Sequence, residues 1–275
     1  MLKTRIITAV LLLGALLGAV FYLSPAGWLL FCAVVCVAAA WEWGALTRLP
    51  RAQRVALALF LGAACLLVGL ATGLGGGQMR APWPLAGLYL LSASFWLIAL
   101  PLWLRRKWQV SGLGAAAAVG LIVLLPPALA LAHLRQLGPW LLLAALAICW
   151  VADIAAYFSG RAFGRRKLAP GISPGKTWEG VYGAVAGVLV YGFIAITWLF
   201  APAWTPAGLL LLAVALVALT GLSVVGDLFE SLLKRQAGLK DSGKLLPGHG
   251  GVLDRIDSLT STLPLVGLAA LWFVR

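Results

Sequence analysis

Five of the eight acidic residues in this 275-residue chain fall between Asp227 and Asp257. Asp227, Glu230 and Ser231 stand at i, i+3 and i+4, and Asp254 and Asp257 are three apart, so each set shares one face of a helix. Alone, the first set also reads as a solvated Glu230–Lys234 helix pair, and the second as helix capping. Together they are two sets of oxygen donors ending two neighbouring helices, joined by a loop with Lys234, Arg235, Lys240 and Lys244. Such carboxylates suit a hard cation such as Mg²⁺, which takes one or two of them and completes its shell with water and phosphate oxygens. The lysines and arginine suit a polyphosphate. His249, within Pro-Gly-His-Gly-Gly, reads either as a substrate contact or as part of a tight turn.

A second polar stretch runs from Asp153 to Gly180. Asp153 and Tyr157 share a helix face, followed by a basic Gly/Pro-rich loop over residues 160–180. Gly and Pro fix irregular turns whose N–H groups approach anions closely. Gly175-Lys176-Thr177 resembles the end of a P-loop, but that motif requires glycine where Pro170 stands and a strand before the loop. The loop is read instead as a phosphate-binding segment, the alternative being a basic loop that only sets topology.

The elements that must hold these segments are membrane helices. The chain is 63% hydrophobic and 11% charged, with mean hydropathy +1.01, too few polar residues to cover a soluble domain. Apolar runs long enough to cross a bilayer recur throughout, without the short alternating strands of a barrel. The expected spans are Ile6–Leu23, Trp28–Leu46, Val55–Gly73, Leu85–Leu104, Val110–Leu131, Gly138–Ser159, Val181–Ala201, Ala207–Val225 and Ser258–Val274, with a kink at Pro126-Pro127. This makes the chain an all-α integral membrane protein of about nine spans. A scaffold of five spans (residues 1–136) precedes a catalytic region (137–275) whose polar loops are 160–180 and 227–257. His133 is expected in an outer loop. Cys32, Cys36, Cys65 and Cys149 lie in apolar runs and read as buried small hydrophobes.

With the N-terminus on the cytoplasmic side, 18 of the 21 basic residues fall on inner segments, beginning with Lys3 and Arg5; Arg80, Arg135 and Arg275 do not. That bias fixes orientation and puts the C-terminus on the opposite side. It also accounts for the net charge of +13, so no nucleic-acid partner is expected. Seven of the eight acids lie between Asp153 and Asp257. Carboxylates near hydrocarbon are costly, so the cluster is expected to be a site facing the cytoplasm.

The run Ser231-x-Leu-Lys-Arg-x4-Lys-Asp-x-Gly-x2-Leu-Pro-x-His-Gly-Gly-Val-x-Asp-Arg-Ile-Asp257 resembles the signature of the phosphatidate cytidylyltransferases without departure over its 27 residues. The Asp153 segment and Ser-Pro-Gly-Lys-Thr-Trp-Glu-Gly180 resemble that family too; the N-terminal half agrees mainly in hydropathy. The resemblance implies transfer of the cytidylyl group of CTP to phosphatidic acid, with Mg²⁺ and K⁺ as a second cation, in a homodimer of the bacterial inner membrane. It points to Asp227, Asp254 and Asp257 as metal ligands. Lys234 and Lys240 are expected to take part in catalysis, and Arg235 and Lys176 to bind phosphates. Ser173, Ser223, Ser231, Asp241, His249 and Asp153 complete the substrate-binding candidates. Thr177, Trp178 and Glu179 are candidates for reading cytosine, or interfacial anchors. Rival readings are a CTP-dependent lipid-alcohol kinase, which would give CDP, and a transporter, which would want acids at midplane and a repeated half.

Overall fold

The computed structural model of the chain describes residues 2–273, with side chains from Ile6 to Trp272; the side chains of Lys3 and Arg5, and all of Arg275, lie outside them. Helix α1 (Leu2–Tyr22) leads into α2 (Pro25–Leu46), which Ser24 caps by accepting from Gly27 N at 3.1 Å. Pro25 occupies the first turn of α2, where no N–H is needed. Then follow α3 (Arg51–Ala71), α4 (Trp83–Ser94), α5 (Leu100–Arg106), α6 (Gly112–Val123), α7 (Leu125–Leu137) and α8 (Pro139–Phe163). After a hairpin come α9 (Trp178–Phe200), α10 (Pro206–Ala237) and α11 (Leu253–Phe273).

Each expected span overlaps one continuous helical stretch, and the interruptions have covalent causes. Between α4 and α5 the chain widens into a π turn, Phe95–Ala99, where Leu100 N donates to Phe95 O. Pro101, which follows, has no N–H to donate, and the wider turn absorbs that missing bond. Likewise α6 stops at Val123, and α7 opens with Pro126 and Pro127 in its first turn, the expected break. By length and composition, seven helical stretches among the described residues can cross a membrane: Pro25–Leu46, Arg51–Ala71, Trp83–Arg106, Gly112–Leu137, Pro139–Phe163, Trp178–Phe200 and Pro206–Ala237. The apolar part of α1, Ile6–Tyr22, is shorter, and α11 begins with a polar turn.

Two features depart from the sequence expectation, and one, the helical setting of Asp227, Glu230 and Ser231, follows it. The loop after α8 is not irregular throughout: β1 (Lys167–Ala169) and β2 (Ser173–Thr177) pair antiparallel around Pro170-Gly171. His133 is not in a loop but in α7, 1% exposed and stacked on Tyr89 with ring centroids 6.1 Å apart, because no breaker follows Leu131 until Gly138. Helix α10 continues three turns past Val225, carrying the first acidic set on regular helix.

In an apolar solvent a buried donor is costly without an internal acceptor, and two of the core tryptophans find one, whereas Trp96 Nε1 does not. Trp43 Nε1 donates to Ala116 O at 2.9 Å and Trp28 Nε1 to Leu131 O at 3.1 Å, tying α2 to α6 and α7. The main core runs through both halves: Trp28, Trp43 and Leu61 share it with Leu142, Phe229 and Leu263. The four cysteines are free and buried, as expected. Small residues let α8 and α9 approach closely. A Cβ on Gly183 would stand 2.0 Å from Ser159 Oγ, and one on Gly187 2.8 Å from Ala155 Cβ. Gly183→Val should therefore destabilise the purified protein by about 1–3 kcal/mol in thermal unfolding, the usual cost of overpacking. Gly221→Ala, where the added carbon meets nothing within 4 Å, should be neutral or stabilising by up to about 1 kcal/mol.

Candidate active site

The polar residues assemble beside the hairpin, from the C-terminal parts of α8 and α10 and the first turns of α11. Gly226 sets the spacing. A Cβ there would lie 2.6 Å from Ser261 Oγ and 2.8 Å from Asp257 O, so glycine lets α10 and α11 close up exactly one residue before Asp227. Asp257 on α11 and Asp153 on α8 both lie within electrostatic reach of Asp227, and Asp153 also of Lys176 and Arg255. Three carboxylates from three helices thus face one region. Ser231, one turn along α10, donates to Asp227 Oδ1 at 3.2 Å, as its spacing predicts.

The hairpin brings the counter-charge. Ile172 at its tip is buried against Leu228 and Leu232 of α10, and this docking lays Lys176 Nζ 2.5 Å from Asp227 Oδ2. Glu179, in the first turn of α9, holds the hairpin's entry: it accepts from the N–H groups of Arg165 and Arg166 at 3.0 and 3.2 Å and from Arg166 Nε at 3.1 Å. The same bond raises the Arg166 guanidinium above its ordinary pKa. Thr177 caps α9 by accepting from Gly180 N at 3.2 Å. Of the three base-reading candidates, Thr177 and Glu179 are thus committed to structure, leaving half-exposed Trp178 open.

Behind this face lies a buried ion cluster. Lys234 Nζ meets Glu230 Oε2 at 3.0 Å and Asp254 Oδ1 at 2.7 Å, with side-chain exposures of 13%, 4% and 6%. The Glu230–Lys234 pair is therefore desolvated rather than solvated, because Phe229 beside it is packed by Trp43, Phe95, Trp96 and Trp103. Asp254, grouped with the metal ligands from its position, has both oxygens engaged: Oδ1 by Lys234, and Oδ2 by the N–H groups of Ser242 and Gly251 at 2.9 and 2.8 Å.

The loop between α10 and α11 returns through a Leu246–Gly250 bridge. His249 forms part of that turn: its N–H donates to Leu246 O at 2.9 Å, its carbonyl accepts from Arg255 Nε at 3.2 Å, and its Nδ1 is buried without a protein partner. Arg235, Lys240 and Asp241 are exposed, Ser173 is half-buried in β2, and Ser223 is buried one turn before Asp227.

One residue of the site escaped the sequence reading. Glu42, near the end of α2 and 1% exposed, accepts from Ser242 Oγ at 3.0 Å, Val252 N at 3.1 Å and Leu253 N at 2.8 Å. Its signal was present: it is the one acid of eight in the first 152 residues.

Mg²⁺ fits this arrangement at Asp227 and Asp257. The donors are hard oxygens that keep free lone pairs: Asp227 meets Ser231 and Lys176, and Asp257 Oδ1 accepts from Ser258 N at 2.7 Å. Among the described residues no three His, Cys, Asp or Glu side chains make a complete metal site.

Removing the buried cation tests the cluster. Lys234→Met strands two carboxylates and should cost about 3–5 kcal/mol in unfolding experiments, with Lys234→Met/Glu230→Gln recovering part of the loss. A cost below about 1 kcal/mol would be that of a solvated pair.

The chain matches the model of the cytidylyltransferase family over residues 3–273. It is 43% identical over 278 residues to the phosphatidate cytidylyltransferase of Pseudomonas aeruginosa, covering 99% of this chain and 97% of that protein. It is 38% identical to that of Haemophilus influenzae over 283 residues, covering 96% of each. With that of Brucella suis the identity is 38% over 271 residues, covering 97% of this chain and 92% of that protein. A match over nearly its whole length, and not in the signature alone, means that the chain belongs to the cytidylyltransferase family.

Proposed function

We propose that this protein is a phosphatidate cytidylyltransferase, joining CTP and phosphatidic acid to give CDP-diacylglycerol and pyrophosphate. The observation that carries the reading is the convergence of Asp153, Asp227 and Asp257 beside Lys176 at the helix ends, within a chain matched along its length by relatives of that name. The reaction asks for this kind of site. A phosphate monoester has its second pKa near ~6, so the lipid phosphate is largely a dianion at neutral pH and no strong general base is required. The obstacle is charge, because an anion must attack the α-phosphorus of a polyanion in line and expel pyrophosphate.

Asp227 and Asp257 would hold Mg²⁺, which when bound supplies positive charge to the phosphates; Asp254 would add its remaining Oδ1 lone pair, and K⁺ is the proposed second cation. Lys176, on the hairpin, is placed to leave Asp227 for a phosphate oxygen. Exposed Arg235 and Lys240 would meet the pyrophosphate end of CTP. Lys234 contributes by fixing Asp254, and Ser231 by orienting Asp227. Ser173, Ser223, Asp241 and His249 would be further substrate-binding residues.

The setting suits the substrates. Phosphatidic acid keeps its acyl chains in the bilayer while CTP stays in water, and helix ends at an interface reach both. The proposal includes nine spans, the N-terminus and active site on the cytoplasmic side of a bacterial inner membrane, and a homodimer. The distribution of basic residues supports the orientation. A cysteine placed at Lys240 should react with impermeant thiol reagents only from the cytoplasmic side.

Purified protein given phosphatidic acid, Mg²⁺ and CTP labelled at the α-phosphate should move label into lipid and release pyrophosphate. Transfer only from γ-labelled CTP to a lipid alcohol would instead establish the kinase. Asp227→Asn and Asp257→Asn should each lower the rate at least about 100-fold, the scale on which transition-state charge stabilisation acts, while leaving the folded protein intact; full activity in either would remove it from the site.

A further inference from the structure

The geometry points to Glu42 as a positioning residue of the transfer site: from α2 it holds the α10–α11 loop and the first turn of α11 in the conformation the reaction uses. This rests on the cytidylyltransferase reading and extends it into the half of the chain expected to be scaffold.

Three observations carry it. First, four consecutive N–H groups lead into α11, two just before its first residue and two within its first turn, where no helical acceptor is available, and each has a side-chain acceptor here. Gly251 N donates to Asp254 Oδ2, Val252 N and Leu253 N to the two oxygens of Glu42, and Asp254 N to Ser242 Oγ at 3.2 Å. Glu42 supplies half of that set from a distant part of the sequence. Second, the contact continues to the ion cluster. Glu42 accepts from Ser242 Oγ, Ser242 N donates to Asp254, and Asp254 binds Lys234. Displacing Glu42 therefore releases both ends of the loop and the turn that aims Asp257. Third, the loop is shaped around this carboxylate. A Cβ on Gly243 would stand 2.2 Å from Glu42 Oε1, its three nearest atoms all belonging to Glu42, and one on Gly251 would stand 2.3 Å from Oε2.

A 1% exposed carboxylate inside an apolar bundle is expensive to keep. Arg54 lies within electrostatic reach but makes no ion pair with it. The amide donors and the helix N-terminus are what stabilise the charge. Glutamine would present one oxygen to these donors and turn an NH₂ group toward an N–H.

The test uses the full-length protein, with transfer kinetics and amide hydrogen exchange measured on the same samples. Glu42→Gln should lower kcat at least tenfold and speed exchange over residues 242–254, with the other helices unchanged. Gly243→Ala should lower kcat comparably in the wild-type background, but by less than threefold further in Glu42→Ala, where the opposing atoms are gone. If Glu42→Gln does not fold, Ser242→Ala decides, with the same local exchange and reduced kcat expected. Near wild-type kcat and loop protection in the variant that folds would overturn the inference, as would fully additive effects of Gly243→Ala and Glu42→Ala. So would exchange that rises evenly through the bundle. Wild-type protein with no transfer from α-labelled CTP would overturn the underlying reading instead, and the exchange pattern tells the two failures apart.

Discussion

The structure turns on the four consecutive backbone donors, Gly251 to Asp254, that lead into the first turn of α11. In water such groups find solvent, but beside a bilayer core each must have an acceptor from the protein. Here Glu42, Ser242 and Asp254 meet the four consecutive N–H groups from Gly251 to Asp254. Because those acceptors come from α2, from the loop and from α11 itself, one set of bonds fixes the relative placement of all three. Asp257, one turn further on, takes its position from that turn and from the close approach that Gly226 permits.

The same scarcity of water explains why the site lies at the helix ends. Five acids and their basic neighbours are gathered within 31 residues, and the structure sorts them by depth. Lys234, Glu230 and Asp254 are sealed behind the aromatic cluster around Phe229, with the one ammonium shared between the two carboxyl groups. Asp227 and Lys176 keep about a quarter of their side-chain surface open. A buried ion cluster contributes little net stability but penalises any arrangement that breaks it. Here it makes the loop geometry specific, while Asp227 and Lys176 stay outside it and partly open.

How much of this was legible depends on the range of each interaction. Helical stretches could be read because a bilayer demands long apolar runs, and the interruption near Pro126-Pro127 follows from local covalent chemistry; the π turn before Pro101 was not read. Side chains a turn apart, such as Asp227 with Ser231, could be paired from spacing alone. Contacts between distant segments could not. Nothing local says that Glu42 meets Ser242, 200 residues on, or that Ile172 docks the hairpin on α10 and so delivers Lys176 to Asp227. Asp254 and Asp257 look alike in sequence, yet one is engaged by Lys234 and two amides while the other faces the acidic cluster. The hairpin was missed because its strands are short and lie in a loop whose Gly, Pro and basic residues signal turns more strongly than strands.

The central claim is that Asp227 and Asp257 form the cation- and phosphate-binding face of the protein. Its most direct test is Mn²⁺ binding, followed by electron paramagnetic resonance in the presence of CTP, for the wild type and for Asp227→Asn/Asp257→Asn. The account predicts saturable, protein-bound Mn²⁺ in the wild type, lost in the double variant while the helical content stays the same. Equal Mn²⁺ binding by the two proteins would contradict it and move the cation site elsewhere.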